Sequence, residues 1–294
     1  MSHRDSRIAM TSGCQLSGSL TVVWQRVTNP DSSARRTTIQ NPKAAPQTKI
    51  QNPRADAALA KKVALSCQIL AKLGLFKETT GHVSARSADG ANMLIRGRGR
   101  EETGLLFTTA SDVVQANFDG QRIQKSGILK PPNESVIHGE IYKVRSAVGG
   151  IVHAHPASIV LTSMAGIELR PIFGGYDPRA MRMALNGIPV YRSSLTLHRV
   201  EHVHEMMAVM GDSDICVLRG HGVVVCGTSV EDATIKAIKL DGLARMNLQA
   251  ASLGNVPSIS AQDQEAFMSR GGTGMSGGGA ETLWRFYCGW LKKG

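Results

Sequence analysis

The chain has 294 residues, a hydrophobic fraction of 42%, a charged fraction of 19% and a formal net charge of +11. That length holds one large or two ordinary domains with a buried core, and the composition is that of a soluble globular protein. No apolar run approaches the roughly 18 residues that cross a bilayer, and aromatics at 4% leave the charge without the stacking residues of a nucleic-acid binder, so neither partner is expected.

The basic excess is also local. Residues 1–54 carry eight Lys/Arg (Arg4, Arg7, Arg26, Arg35, Arg36, Lys43, Lys49, Arg54) against Asp5 and Asp31, more than half of the net charge. The same stretch contains a near-repeat, Ile39 to Lys43 and Ile50 to Arg54, and no sustained period. It reads as a disordered extension. The five cysteines form no CxxC, and their odd number argues against a disulfide framework and for a reducing cytoplasm.

From Ala55 the pattern changes. Leu59, Val63, Ile69, Leu70 and Leu73 recur at helical spacing and end at Gly74, which predicts a first helix of about five turns. Gly81 to Arg86, Met93 to Arg96 and Gly104 to Thr108 are short runs bounded by glycine and predict strands. Asn133 or Ser135 is placed to cap a helix over 134–145 that buries Val136, Ile137, Ile141 and Val144. Gly149 to His155 reads as a strand stopped by Pro156, and a helix over 157–165 follows. Asp214 to Leu218 and Val223 to Gly227 predict a hairpin with a tight corner at Arg219-Gly220-His221-Gly222. Ser229, with Asp232 three residues on, predicts the capped start of another helix. Residues 270–280 are glycine-rich and read as flexible, and Trp284 to Trp290 as a short docking helix.

On a strand, side chains two apart share a face, so His153 and His155 project together with Cβ atoms about 7 Å apart and converge on one ion. Catalytic sites for borderline divalent metals use three protein ligands and keep a position open. His221, between two glycines at a hairpin corner, is the third candidate. The pair His202 and His204 serves as a contrast, because in a helix positions two apart point about 200° apart and do not chelate together. Glu134 lies at a predicted helix start just before the histidine strand. Its ordinary role there is to favour the helix dipole; its functional role is a carboxylate beside the ion that ligates it or shuttles a proton. His138 and Glu140 read as residues of the helix surface or of the layer supporting the site.

The ordered set Pro-Asn-Glu-Ser (132–135), His-Gly-Glu-Ile-Tyr (138–142), His-Ala-His-Pro (153–156) and Gly-His-Gly-Val-Val (220–224) resembles the class II aldolase/adducin family over residues 56–250. The resemblance implies an α/β fold, a three-layer α/β/α sandwich around a mainly antiparallel sheet. It also implies metal ligation by His153, His155 and His221, with zinc, manganese, iron or cobalt as the ion, an acid/base role for Glu134, and a homotetramer. Sugar-phosphate aldolases of this family carry Gly-Asn-x-Ser where this chain has Gly81-His82-Val83-Ser84. With Arg96 to Gly99 and Pro171 to Asp177, that departure looks more like the branch that decarboxylates hydroxylated aromatic acids such as 3,4-dihydroxyphthalate. The implied function is a metal-dependent carbon–carbon lyase acting on a small acidic substrate. The alternatives are a sugar-phosphate aldolase of the fuculose or ribulose phosphate type, and a non-catalytic adducin-like interaction domain, which is expected to have lost the three histidines. Substrate-facing candidates are Gly81, His82, Ser84, Arg98, Thr108 and Thr109, with Arg100 beside them, since arginine binds carboxylates through paired hydrogen bonds. The implied division is an extension over 1–54, a catalytic domain over 55–255, and a partly flexible tail over 256–294.

Overall fold

The computed structural model describes residues 53–123, 127–254, 256–269 and 279–293. Contacts divide the chain into Met1–Gln47 and Thr48–Gly294, and all described residues belong to the second unit. The expectations for residues 1–52 and 270–278 lie outside the described residues.

The first helix, α1 (Pro53–Lys72), begins inside the predicted extension, because a proline in the first turn gives up only an N–H that has no helical partner. Its apolar period buries Val63, Ile69 and Leu70 completely. Seven strands follow: β1 (His82–Arg86), β2 (Met93–Arg96), β3 (Val113–Ala116), β4 (Gly150–Ala154), β5 (Val190–Tyr191), β6 (Ile215–Leu218) and β7 (Gly222–Gly227). They form one sheet in the order β3-β2-β1-β4-β7-β6-β5, antiparallel throughout except for the short parallel pair β5–β6. The predicted strand over 104–108 is instead a single 3-10 turn, Leu105–Phe107. Leu105 is tied by its N–H to the Glu78 carbonyl at 3.0 Å, while Leu106 and Phe107 are both exposed, so the run has no alternating face.

Alternation along the strands separates two apolar layers. Val83, Val152, Ala154, Val217, Val223 and Val225 point to one side. There they meet α1, α3 (Ala157–Ala165), α4 (Pro178–Met183) and the long α6 (Val230–Ser252). Ile95, Ile151, Cys216, Leu218, Val224 and Cys226 point to the other, against α2 (Ser135–Val144) and α5 (Val200–Met210). The expected three-layer α/β/α sandwich with a mainly antiparallel sheet is the observed fold. α6 is capped as the sequence predicts, with Ser229 Oγ accepting from the Asp232 N–H at 3.2 Å. Among the described residues beyond 255 lie two helices: α7 (Ala261–Ser269) packs near α4, and α8 (Gly279–Lys293), which contains the expected docking helix over Trp284 to Trp290, seats Ala280 and Trp284 against α6 and α1.

Candidate metal centre and active site

β1 and β4 pair so that His82 stands opposite His153 and Ser84 opposite Ile151, all on the α2 side of the sheet. His153 is fully buried, and its Nδ1–H donates to the Val223 carbonyl of the neighbouring strand at 3.1 Å. That bond fixes the tautomer and leaves the Nε2 lone pair free for an ion. β4 ends at Ala154, so His155, the last residue of the predicted strand, lies one residue past the observed one, held there by its N–H to the Leu75 carbonyl at 3.2 Å. It still converges, with Nε2 2.9 Å from His153 Nε2.

His221 reaches the same point from the β6–β7 corner. Gly220 turns the corner with φ +69, and Gly222 lets the hairpin approach β4: a Cβ there would lie 2.3 Å from the Ala154 carbonyl and 2.6 Å from the His155 ring. Glu134 is itself the N-cap residue of α2, in place of the predicted Asn133 or Ser135, and its side chain makes no cap bond. Oε1 instead accepts from the Leu197 N–H at 2.7 Å. Its two oxygens lie 3.6 Å from His153 Nε2 and 3.7 Å from His221 Nε2.

One ligand atom from each of Glu134, His153, His155 and His221 lies within 4.8 Å of all the others. Three imidazole nitrogens and a carboxylate suit a divalent ion, and the His153 tautomer presents the ligating nitrogen. Burial, then the neighbouring His153 and His221, brings His155 down to about 3, with Glu134 opposing. Burial and His153 likewise lower His221 against the pull of Glu134 and the Leu195 backbone. Both are therefore neutral, the form that binds metal. Burial pushes Glu134 up, but the neighbouring His153, the Leu197 N–H and His221 outweigh it and hold the carboxyl at about 2. It is a carboxylate at neutral pH.

Residues 61–248 match the family of the Class II Aldolase and Adducin N-terminal domain. The chain belongs to the class II aldolase/adducin family. It is 38% identical over 219 residues to a 3,4-dihydroxyphthalate decarboxylase of Terrabacter sp. (strain DBF63), covering 73% of this chain and 91% of that one. To the 3,4-dihydroxyphthalate decarboxylase of Arthrobacter keyseri it is 38% identical over 195 residues, 65% of this chain and 78% of that one. In structure it is similar to an aldolase II superfamily protein from Pseudomonas syringae, with a TM-score of 0.72, 20% identity, and coverage of 82% of this chain and 94% of that one. Membership and these relatives make the chain a lyase.

The cluster opens into a cavity of about 810 Å³ lined by Gly81, His82, Arg98, Arg100, Lys130 and the cluster residues Glu134, His155 and His221, among others. Arg98 and Lys130 are held side by side by a two-residue backbone bridge, N–H to carbonyl in both directions at 2.7 and 2.9 Å. Three expected substrate contacts are not brought to the cavity. Ser84 is fully buried beneath it, between His138 and Tyr142. Thr108 is buried and bonds the Gly104 carbonyl at 3.3 Å, and Thr109 is exposed and closes a turn with Asp112. His138, read as a surface or supporting residue, is fully buried under the site, while Glu140 pairs with Lys143 and with His204. His202 and His204 both lie in α5, and His204 turns to Glu140 at 2.8 Å. The sequence reading missed Lys130 and left His138 open between the helix surface and the layer supporting the site. For His138 a signal existed, since it stands four residues after Glu134 and so on the same helix face.

Proposed function

We propose that the chain is a divalent-metal-dependent decarboxylase of a hydroxylated aromatic dicarboxylate such as 3,4-dihydroxyphthalate. The observation that carries this reading is a three-histidine, one-carboxylate cluster at one end of a cavity whose wall carries Arg98, Arg100 and Lys130. Such a cavity matches a planar substrate with two carboxylates, which arginines bind through paired hydrogen bonds. Its resemblance to three 3,4-dihydroxyphthalate decarboxylases at 35–38% identity supports the same reaction.

Zinc, manganese, iron or cobalt held by His153, His155 and His221 would act as a Lewis acid on a ring oxygen, worth several kcal/mol of charge stabilisation. The chain's own residues supply the rest. Arg98, Arg100 and Lys130 hold the carboxylates and fix the ring over the histidines. Glu134, ionised and beside the cluster, accepts the proton of the ring hydroxyl. It returns that proton to the ring carbon bearing the departing carboxylate; the C–CO2 bond then breaks, and its electron pair restores the aromatic ring. One carboxylate thus serves as base and then as acid. We assign the protein to the cytoplasm, as free buried thiols at Cys67, Cys216 and Cys226 fit a reducing compartment, and, from its family, to a homotetramer. Among the described residues, no helix is long and apolar enough to cross a membrane.

The test is CO2 release from 3,4-dihydroxyphthalate by metal-loaded protein, with Glu134→Gln and a chelated sample as controls. Release that a chelator abolishes and that Glu134→Gln slows by about 10²–10⁴ supports the assignment. Cleavage of L-fuculose 1-phosphate without any CO2 release from the aromatic acid would assign an aldolase instead.

A further inference from the structure

Behind the cavity wall, four side chains form a continuous line of hydrogen bonds. His82 Nδ1 lies 2.7 Å from His138 Nε2, His138 Nδ1 lies 2.6 Å from Ser84 Oγ, and Ser84 Oγ lies 2.8 Å from the Tyr142 hydroxyl. All four are excluded from solvent, His138 and Ser84 at 0% exposure and His82 and Tyr142 at 2%. Each link holds one proton, so the direction of the line is set at its end.

That end is Tyr142. Among the described residues its hydroxyl has no hydrogen-bond partner other than Ser84. As acceptor it would bury its own O–H unpaired, a loss larger than the gain of an ordinary hydrogen bond. Tyr142 therefore donates to Ser84 Oγ, and burial, which pushes its hydroxyl up, keeps the proton on it. Ser84 must then turn its hydrogen to His138 Nδ1. His138, neutral through burial, carries its proton on Nε2 and donates it to His82 Nδ1. His82, whose Nδ1 accepts that hydrogen bond, is left with its proton on Nε2. Of the polar atoms in this line, His82 Nε2 is the one left buried without a partner, and His82 forms part of the cavity wall.

We propose that His82 is a neutral hydrogen-bond donor to an anionic oxygen of the substrate, fixed as its Nε2–H tautomer by Tyr142, Ser84 and His138. The tautomer follows from the chain alone. Its use on an aromatic carboxylate rests on the decarboxylase reading. In this role His82 touches substrate, whereas His138, Ser84 and Tyr142 are positioning residues.

Histidine-selective 15N labelling and long-range proton–nitrogen NMR of the zinc-loaded protein report the tautomer directly, with His82→Asn and His138→Asn spectra assigning the two rings. Both rings are expected to carry hydrogen on Nε2 and none on Nδ1. A proton on Nδ1 of either ring overturns the proposal. Ser84→Ala should move His138 into a tautomeric mixture with unchanged zinc stoichiometry; an unaltered tautomer overturns the line as its cause. For the ligand, phthalate serves as an unreactive dicarboxylate probe in titration calorimetry. His82→Phe should weaken it about tenfold or more, as expected for a hydrogen bond to a charged group, and His82→Asn, which restores a donor, should recover part of the loss. Equal affinities in the native protein and His82→Phe overturn the donor role. Phthalate binding needs no turnover, so binding through His82 without CO2 release from dihydroxyphthalate rejects the decarboxylase reading alone.

Discussion

His138 illustrates how much one side chain depends on where its helix sits. The sequence leaves it between the helix surface and the layer supporting the site; the fold buries it completely between α2 and the sheet, where desolvation first, then the neighbouring His153, brings it from 6.5 to about 3 against the pull of Glu134. The native protein therefore keeps His138 neutral, while the unfolded chain takes up a proton below pH 6.5. Its neutral form stabilises the fold fully above that value, and the contribution is lost as pH falls from 6.5 towards about 3. Urea unfolding of metal-free protein across that window should show stability falling with acidification, and His138→Gln should lower the slope by up to about 1.4 kcal/mol per pH unit. Equal slopes in the two proteins would show that His138 is protonated in the fold. The gathering of His153, His155 and His221 was legible because they sit in short, strongly patterned segments. The roles of Ser84, Thr108 and Thr109 were not, because local spacing does not say which side of a turn faces a cavity formed by segments far apart in sequence.

At the scale of elements, the legible pieces are those whose own pattern agrees with their burial. The β-branched runs at 151–152 and 223–225 read as strands and occupy the sheet's centre. The 104–108 run failed that test, since two of its apolar residues face outward and only tertiary contact shows it. β3 carries just four residues and escaped the pattern altogether. The β6–β7 hairpin has the clearest link from element to site. Replacing Gly222 by alanine puts a methyl group into the Ala154 carbonyl and the His155 ring. The expected result is a loss of about 1–3 kcal/mol from overpacking together with zinc affinity at least about tenfold weaker, the tenfold corresponding to about 1.4 kcal/mol. Thermal melts and zinc titrations of the variant check both; undiminished affinity would show that the hairpin's approach does not place His155.

For the whole molecule, layer order was legible through family resemblance more than through any single period, because nothing in seven short strands states their order. The C-terminal segment was underread for the opposite reason. The contacts that make α8 part of the body come from Ile235 and Ile238, more than forty residues earlier, and from Lys72, whose ammonium lies 4.4 Å from the Trp290 ring centre. Trp284 is 8% exposed, so Trp284→Ala should destabilise by about 3–5 kcal/mol, as large-to-small core changes do. α8 lies across the sheet from the α2 layer that carries Glu134, and the folded variant should bind zinc as tightly as the native chain. Chemical denaturation and zinc titration separate the two effects, and a parallel loss of affinity would reveal coupling through the sheet.

The bridge between Arg98 and Lys130 closes a long excursion of chain that follows β2, adds β3 to the edge of the sheet and returns just ahead of Glu134. Its cations face the cavity, yet none of its residues belongs to the histidine cluster. On the proposed reading, recognition by Arg98, Arg100 and Lys130 and bond breaking at the histidine cluster are thus written in separate stretches of sequence. Exchange of that excursion between homologues offers a route by which one reaction centre acquires new acids to act on, leaving the strands that hold its histidines unaltered.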